Sequence, residues 1–180
     1  MTHRTESLEK MALTIFDYMK KIHGLSKREK LLLQLAAILS ECGNYISLSN
    51  AGENSYNIIM YTEIIGLSHT EREIVANVVK YSTQRFDYYN TLGRVTTLDR
   101  ESYLKIAKLT AIMRLAQGLD ISHKGKCNKL KVSDKGNTMI LTVETDEDMT
   151  LELGLFSKNA DFFEEVFNIK PIMKHKKISI

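Results

Sequence analysis

The run Leu31 to Ser40, LLLQLAAILS, limits what this chain can fold into more than any other segment. Its leucines, alanines and isoleucine fall nearly all round a helical wheel, so neighbours must cover such a helix on several sides. Ser26 followed by Glu29 marks its start: the serine hydroxyl can accept a first-turn amide while the glutamate reaches back to the serine's own N–H. A central helix of this kind implies a helical bundle around it.

One proline and nine isolated glycines leave few breaks, and the first two thirds of the chain read as helix. Leu8, Met11, Ile15, Tyr18, Met19 and Ile22 recur at three- and four-residue steps, which predicts an amphipathic helix over residues 4 to 22 ended by His23-Gly24. Asn50-Ala51-Gly52 reads as a loop, residues 55 to 61 as a short helix, and Ser68 with Glu71 as a second capping box opening a helix over 69 to 82. Residues 83 to 97 have no clear period and are expected to form a loop. Asp99 then caps a helix to about Leu119, with Leu104, Ala107, Leu109 or Thr110, Ile112, Met113, Leu115 and Ala116 inward.

After Asp120 the texture changes. Lys129 to Ser133 alternates polar and apolar, Asp134-Lys135-Gly136-Asn137 is a hairpin turn, and residues 139 to 143 alternate again. Alternation also predicts a third strand over 149 to 155. Residues 159 to 167 pattern as an amphipathic helix, and 171 to 180 as a basic strand whose lysines keep an edge from pairing with another chain. The fold class is therefore mainly α: a helical bundle over residues 1 to 122, then a small α+β domain over 123 to 180, with a three- to four-stranded sheet and one helix.

No run of eighteen apolar residues and no signal-peptide pattern is present, so a cytoplasmic protein away from membranes is expected. Cys42 and Cys127 are too few and too scattered for a disulfide framework, and a net charge of +3 allows a polyanionic partner without demanding one. His3, His23, His69, His123 and His175 are spread through different elements with no paired metal-ligand spacing, and those at helix ends read as surface or cap residues. Glycine-rich phosphate loops and nucleophile elbows are missing from the sequence, so neither a catalytic residue nor a cofactor is assigned. Basic residues remain: Lys80, Arg85, Arg94, Arg114, His123, Lys124 and Lys126 lie at helix ends or in loops, where such groups can hold phosphates by charge-assisted hydrogen bonds. The tyrosines Tyr45, Tyr56, Tyr61, Tyr81, Tyr88 and Tyr89 are read as core caps rather than base-stacking platforms.

The ordered segments LLLQLAAILSECGNYIS, NSYNIIM, GLSHTEREIVANVVKYS, LTAIMRLAQGLDISH, LTVETDEDMTLEL and ADFFEEVFNIK together resemble the C-terminal half of the exopolyphosphatase and guanosine pentaphosphate phosphohydrolase (Ppx/GppA) family. That resemblance implies an HD-like helical domain followed by a small α/β domain, with the catalytic centre in actin-like N-terminal domains that this chain does not carry. It also implies where an HD metal site would be. His3 stands at the first ligand, Ser40-Glu41 replaces the His-Asp pair, and Gln117 replaces the distal Asp. Serine and glutamine bind divalent ions poorly, so no metal is expected at His3, Ser40, Glu41 and Gln117.

The resemblance thus implies a non-catalytic module of an exopolyphosphatase-like protein. Such a module binds polyphosphate or another phosphate-rich ligand through the seven basic residues, supports a homodimer, and partners an actin-like phosphatase domain. A different class stays open at this point: a stand-alone regulatory module that binds a guanosine polyphosphate or a protein partner.

Overall fold

Local sequence signals set the starts of three helices in the computed structural model, which describes residues 3–88 and 98–178. Among the described residues there are seven α-helices, one 3-10 turn and a three-stranded sheet. They divide into two compact units: Leu25–Thr110, and Met1–Gly24 together with Ala111–Ile180. The sequence boundary at 122/123 marks a change of secondary structure, whereas compactness groups the first helix with the sheet.

In the first unit, helix α3 (Lys27–Leu39) begins at the expected capping box, where the Ser26 N–H donates to Glu29 at 2.8 Å and the Ser26 hydroxyl oxygen accepts the Arg28 amide at 3.0 Å. Its buried stripe is Leu32, Leu33, Ala36 and Ala37; Leu35, Ile38 and Leu39 are half-buried and Leu31 is exposed, so cover is less complete than the pattern predicts. α3 packs on α5 (His69–Thr83). The second capping box, Ser68 with Glu71, opens α5 as expected. Glu71 also takes a two-pronged ion pair from Arg28 (2.6 and 2.9 Å), and Arg28 donates in addition to the Gly66 carbonyl, so one carboxylate ties the start of α3 to the start of α5.

Helix α4 runs Ala51–Tyr61, longer than the short helix expected from residue 55. The glycine that reads as a loop signal is a packing device: a Cβ on Gly52 would lie 2.9–3.0 Å from Thr83 Oγ1, Gln84 Nε2 and the Lys80 carbonyl at the end of α5. Asp99 accepts the Ser102 amide at 2.7 Å and opens α6 (Arg100–Gly118), which spans both units. Leu104 is half exposed rather than core.

In the second unit, α1 (His3–Tyr18) and α2 (Lys20–His23) bury Leu8, Met11, Ile15 and Met19, while Ile22 is exposed. Gly24 ends α2 at φ 66. Strand β1 (Lys129–Lys135) pairs antiparallel with β2 (Thr138–Glu144) across a Gly136-Asn137 turn, and β3 (Lys170–Lys176) pairs parallel with β2, giving the order β1-β2-β3. A parallel neighbour needs a crossover, and α7 (Thr150–Phe167) supplies it, packing on β3.

The third strand expected over 149 to 155 is the first half of α7. Its buried positions Glu152, Phe156, Ala160 and Phe163 step by four, four and three, whereas the alternating Leu151 and Leu153 that suggest a strand are exposed. Among the described residues the sheet accordingly has three strands, with β1 the antiparallel and β3 the parallel partner of β2.

Candidate functional site

The segment that follows α6, GLDISHKGK, holds three of the seven basic candidates and is fixed by its own carboxylates. Asp120 is buried, and its carboxylate accepts the amides of Lys124 (3.1 Å) and Gly125 (3.0 Å). His123 (φ 59) and Gly125 (φ 62) turn the chain through the left-handed region that lets these amides converge. Such a concavity of N–H groups is an anion site, and here Asp120 itself fills it.

Below it, Glu152 of α7 is fully buried and accepts the Ser122 hydroxyl and amide, the latter at 3.1 Å, and Lys126 Nζ at 3.3 Å; Lys126 also donates to the Asp148 carbonyl at 2.6 Å. Burial alone would raise the Glu152 carboxyl, but the donors from Ser122 and Lys126 outweigh it and hold the group below its ordinary value. The same enclosure, with Asp120 nearby, pushes the Cys127 thiol up to about 11, so it is an inert rather than a reactive cysteine. The His123 and Lys124 side chains are exposed.

Arg114, half-buried on α6, lays its guanidinium over the Phe162 ring at 4.6 Å. Burial lowers its pKa and Glu165 opposes that shift. Gly118, one turn on, lets α6 approach α7: a Cβ there would meet Asn159 Cβ at 2.9 Å and Phe156 at 3.2 Å.

The first unit holds the remaining candidates. Lys80 pairs with Glu53 at 2.8 Å and sits over the Tyr56 and Tyr81 rings at 5.4 and 5.5 Å. Tyr81 donates to Asp87 at 2.9 Å and is the one tyrosine fully in the core among those described. Burial raises the Glu73 carboxyl on the same helix, with His69 opposing, and also raises Tyr56. Arg85, just past α5, is exposed. Arg94 lies outside the described residues.

The positions that the resemblance assigns to an HD ligand set are likewise placed. Ser40 ends α3, its hydroxyl donating to the Ala37 carbonyl at 2.8 Å, and Glu41 leads into the 3-10 turn Cys42–Tyr45. Gln117 sits half-buried in the last turn of α6. The His3 side chain lies outside the described part. Among the described residues no three His, Cys, Asp or Glu side chains gather so as to hold a metal ion.

Several residues behave differently from the sequence expectation. His23 is buried rather than superficial, with Nε2 2.9 Å from the Phe16 carbonyl and its ring 4.2 Å from that of Phe16. Tyr45, Tyr61 and Tyr88 are exposed, not core, while Tyr56 is half-buried; Tyr89 lies outside the described residues. Glu152 and Asp120 were missed as organisers. The sequence signal of Glu152 is a carboxylate at a helix-core position, and that of Asp120 a carboxylate just past the end of α6.

Compared with protein families, the chain matches the one described as Ppx/GppA phosphatase, domain III, over residues 2–161. None of the curated proteins compared with it matches. No helix among the described residues is long and apolar enough to cross a membrane.

Proposed function

Because the chain belongs to the Ppx/GppA phosphatase family through its domain III, we propose that it is a non-catalytic module that binds polyphosphate and supports dimerisation. The observation that carries this is the match across residues 2–161, which takes in both the helical part and most of the sheet unit. Ser40 and Gln117, where an HD site would place ligands, offer a hydroxyl and an amide, neither suited to holding a divalent cation. A site built on these residues would be poorly suited to acidify a water, which supports a binding role over hydrolysis.

The ammonium of Lys126 and the guanidinium of Arg114 are engaged by Glu152 and Phe162, and Lys80 by Glu53. Among the described residues Arg85, His123 and Lys124 are the exposed members of the set; Arg85 and Lys124 are assigned the phosphate contacts, with His123 beside Lys124. For the dimer, Tyr45, Ile46 and Leu48 expose three large apolar side chains in succession along one loop, the kind of group an interface buries.

Titration of the full chain with long-chain polyphosphate at two salt concentrations tests the reading. Binding should weaken with salt and with the Arg85→Gln/Lys124→Gln double variant. Affinity indifferent to both would remove the assignment, and a chain that binds no polyphosphate at low salt would remove the proposal. Dimerisation is tested separately by light scattering on Leu48→Ser, which should yield monomer.

A further inference from the structure

The sheet has two faces with opposite characters. Met139, Leu141 and Val143 of β2 and Pro171 and Met173 of β3 are buried on one. On the other, the register places Lys129, Lys131 and Lys135 of β1 on one side of the β2 residues Thr138, Ile140, Thr142 and Glu144, and Lys170, Lys174 and Lys176 of β3 on the other. All six lysines are exposed. Strands lie about 4.8 Å apart and alternate residues about 6.7 Å apart. The result is two lysine rows on the order of 10 Å from each other, flanking a strip of two threonines, an isoleucine and one glutamate.

Edge protection accounts for lysines on β1 and β3 singly. It does not account for the lack of acids among them. The chain has 25 Lys and Arg against 22 Asp and Glu, so a surface with six cations and average composition would carry about five anions; this one carries Glu144 alone. Removing those six lysines and Glu144 from the totals leaves 19 basic and 21 acidic residues, so the rest of the chain is net acidic. The lysines also act together: Glu144 is hydrogen-bonded by Lys131 of β1 and feels Lys129 and, from the far strand, Lys176. Three of the six, Lys170, Lys174 and Lys176, lie beyond residue 161 and so outside the span matched to the family.

The composition of the strip narrows the ligand. It has no aromatic side chain on which a base could stack and no arginine to read a base edge, the features that single-stranded nucleic acids and sequence-specific readers use. Ile140 and Ile172 are too little apolar surface to insert into a lipid layer. Lysine ammonium groups and the hydroxyls of Thr138, Thr142 and Ser133 are donors to phosphate oxygens and nothing else is required of the ligand. We propose that this face binds a linear inorganic polyphosphate chain laid along β2 between the two lysine rows. The inference rests on the reading of the chain as a polyphosphate-binding module and adds residues other than Arg85 and Lys124 to it.

The test uses the full chain and long-chain polyphosphate, with three triple variants: K129Q/K131Q/K135Q, K170Q/K174Q/K176Q, and K10Q/K20Q/K21Q, which removes the same charge from exposed sites on α1 and α2. Each sheet variant should lose about tenfold or more in affinity at low salt and show a salt slope shallower by about 3, one for each lysine removed. The α1–α2 variant should change little, and unchanged melting temperatures confirm that all three fold. Sheet variants that bind like the α1–α2 control overturn the inference. So does equally tight, equally lysine-dependent binding of an oligoribonucleotide or of anionic vesicles, which would assign the face to a nucleic-acid backbone or a bilayer. Binding that survives in the sheet variants but fails in Arg85→Gln/Lys124→Gln sinks this surface and leaves the module reading intact; no polyphosphate binding by any form sinks both.

Discussion

Replacing Glu152 by glutamine tests whether the post-α6 segment is held by a buried ion pair or by shape alone. Glu152 has no exposed side-chain surface and Lys126 retains 11%, so the pair is largely removed from water. Glutamine keeps an oxygen to accept the Ser122 amide and hydroxyl but turns an uncharged amide toward Lys126. Breaking a buried pair from one side costs roughly 3–5 kcal/mol. Lys126 keeps its 2.6 Å bond to the Asp148 carbonyl and some access to solvent, so E152Q should cost less, about 2 kcal/mol. K126M leaves an ionised carboxylate at zero exposure and should cost about 3 kcal/mol. The double variant should cost about 3 kcal/mol rather than the sum, a coupling of about 2 kcal/mol.

Urea unfolding of the four proteins, with unchanged m-values, reads these numbers directly. The pH dependence adds a sign check. The native carboxyl is held below its ordinary value, so its stabilisation is complete above the unfolded-state pKa and is lost as pH falls below it through the native one. The gap between wild type and E152Q should therefore be widest near neutrality and close in acid. Additive single costs, or a gap independent of pH, would refute the ion-pair account.

Three further outcomes follow from single contacts. Gly43→Ala would place a Cβ 2.2 Å from the Ala51 carbonyl oxygen and 2.5 Å from Ser55 Oγ, so the start of α4 must move and the melting curve should show a loss of roughly 3 kcal/mol; a neutral effect would contradict the close approach. The Arg28 and Ser68 hydrogen bonds lower Glu71 to about 2 against opposing burial, and the bonds from Ser26 and Lys105 do the same for Glu29 against a larger burial cost, so their stabilisation is full above the unfolded carboxyl value and is lost as pH falls through about 2. Arg28→Met should move the acid-unfolding midpoint upward, measured by circular dichroism, and leave stability near pH 7 less affected by salt than in the wild type. Phe163→Ala, which empties a fully buried site on α7, should cost about 4 kcal/mol in urea.

What could be read from the sequence was local. The Ser26–Glu29 and Ser68–Glu71 boxes and the Asp99 cap depend on residues three apart, and the structure forms all three. The β1–β2 hairpin depends on a two-residue turn. What could not be read depends on distant partners. Leu151, Leu153 and Leu155 alternate as a strand would, and only knowing that Glu152 meets Lys126, 26 residues earlier, makes the glutamate a buried position and the segment a helix. Similarly, Tyr45 and Tyr61 follow apolar stretches that predict core, but no neighbour in the described residues covers them. The lysines of β1 and β3 are each legible as edge residues; that they share one face depends on the parallel pairing of β3 with β2, which no turn signal announces.

That pairing also changes what the net charge means. A total of +3 spread evenly would steer a polyanion weakly and in no preferred orientation. Concentrating six lysines against one glutamate on a single sheet face makes that face attractive to a polyanion. The basic residues singled out by loop position contrast with this: Lys80, Arg114 and Lys126 are each held by a carboxylate or ring of the fold, and an incoming phosphate would have to displace Glu53, Phe162 or Glu152 to reach them. Displacing the fully buried Glu152 costs several kcal/mol, whereas the exposed lysines of the sheet release counterions and water, Lys131 also giving up its pair with Glu144. Cations at helix ends look functional in sequence because the fold needs them there; the lysines that serve no packing purpose are the ones available to a ligand.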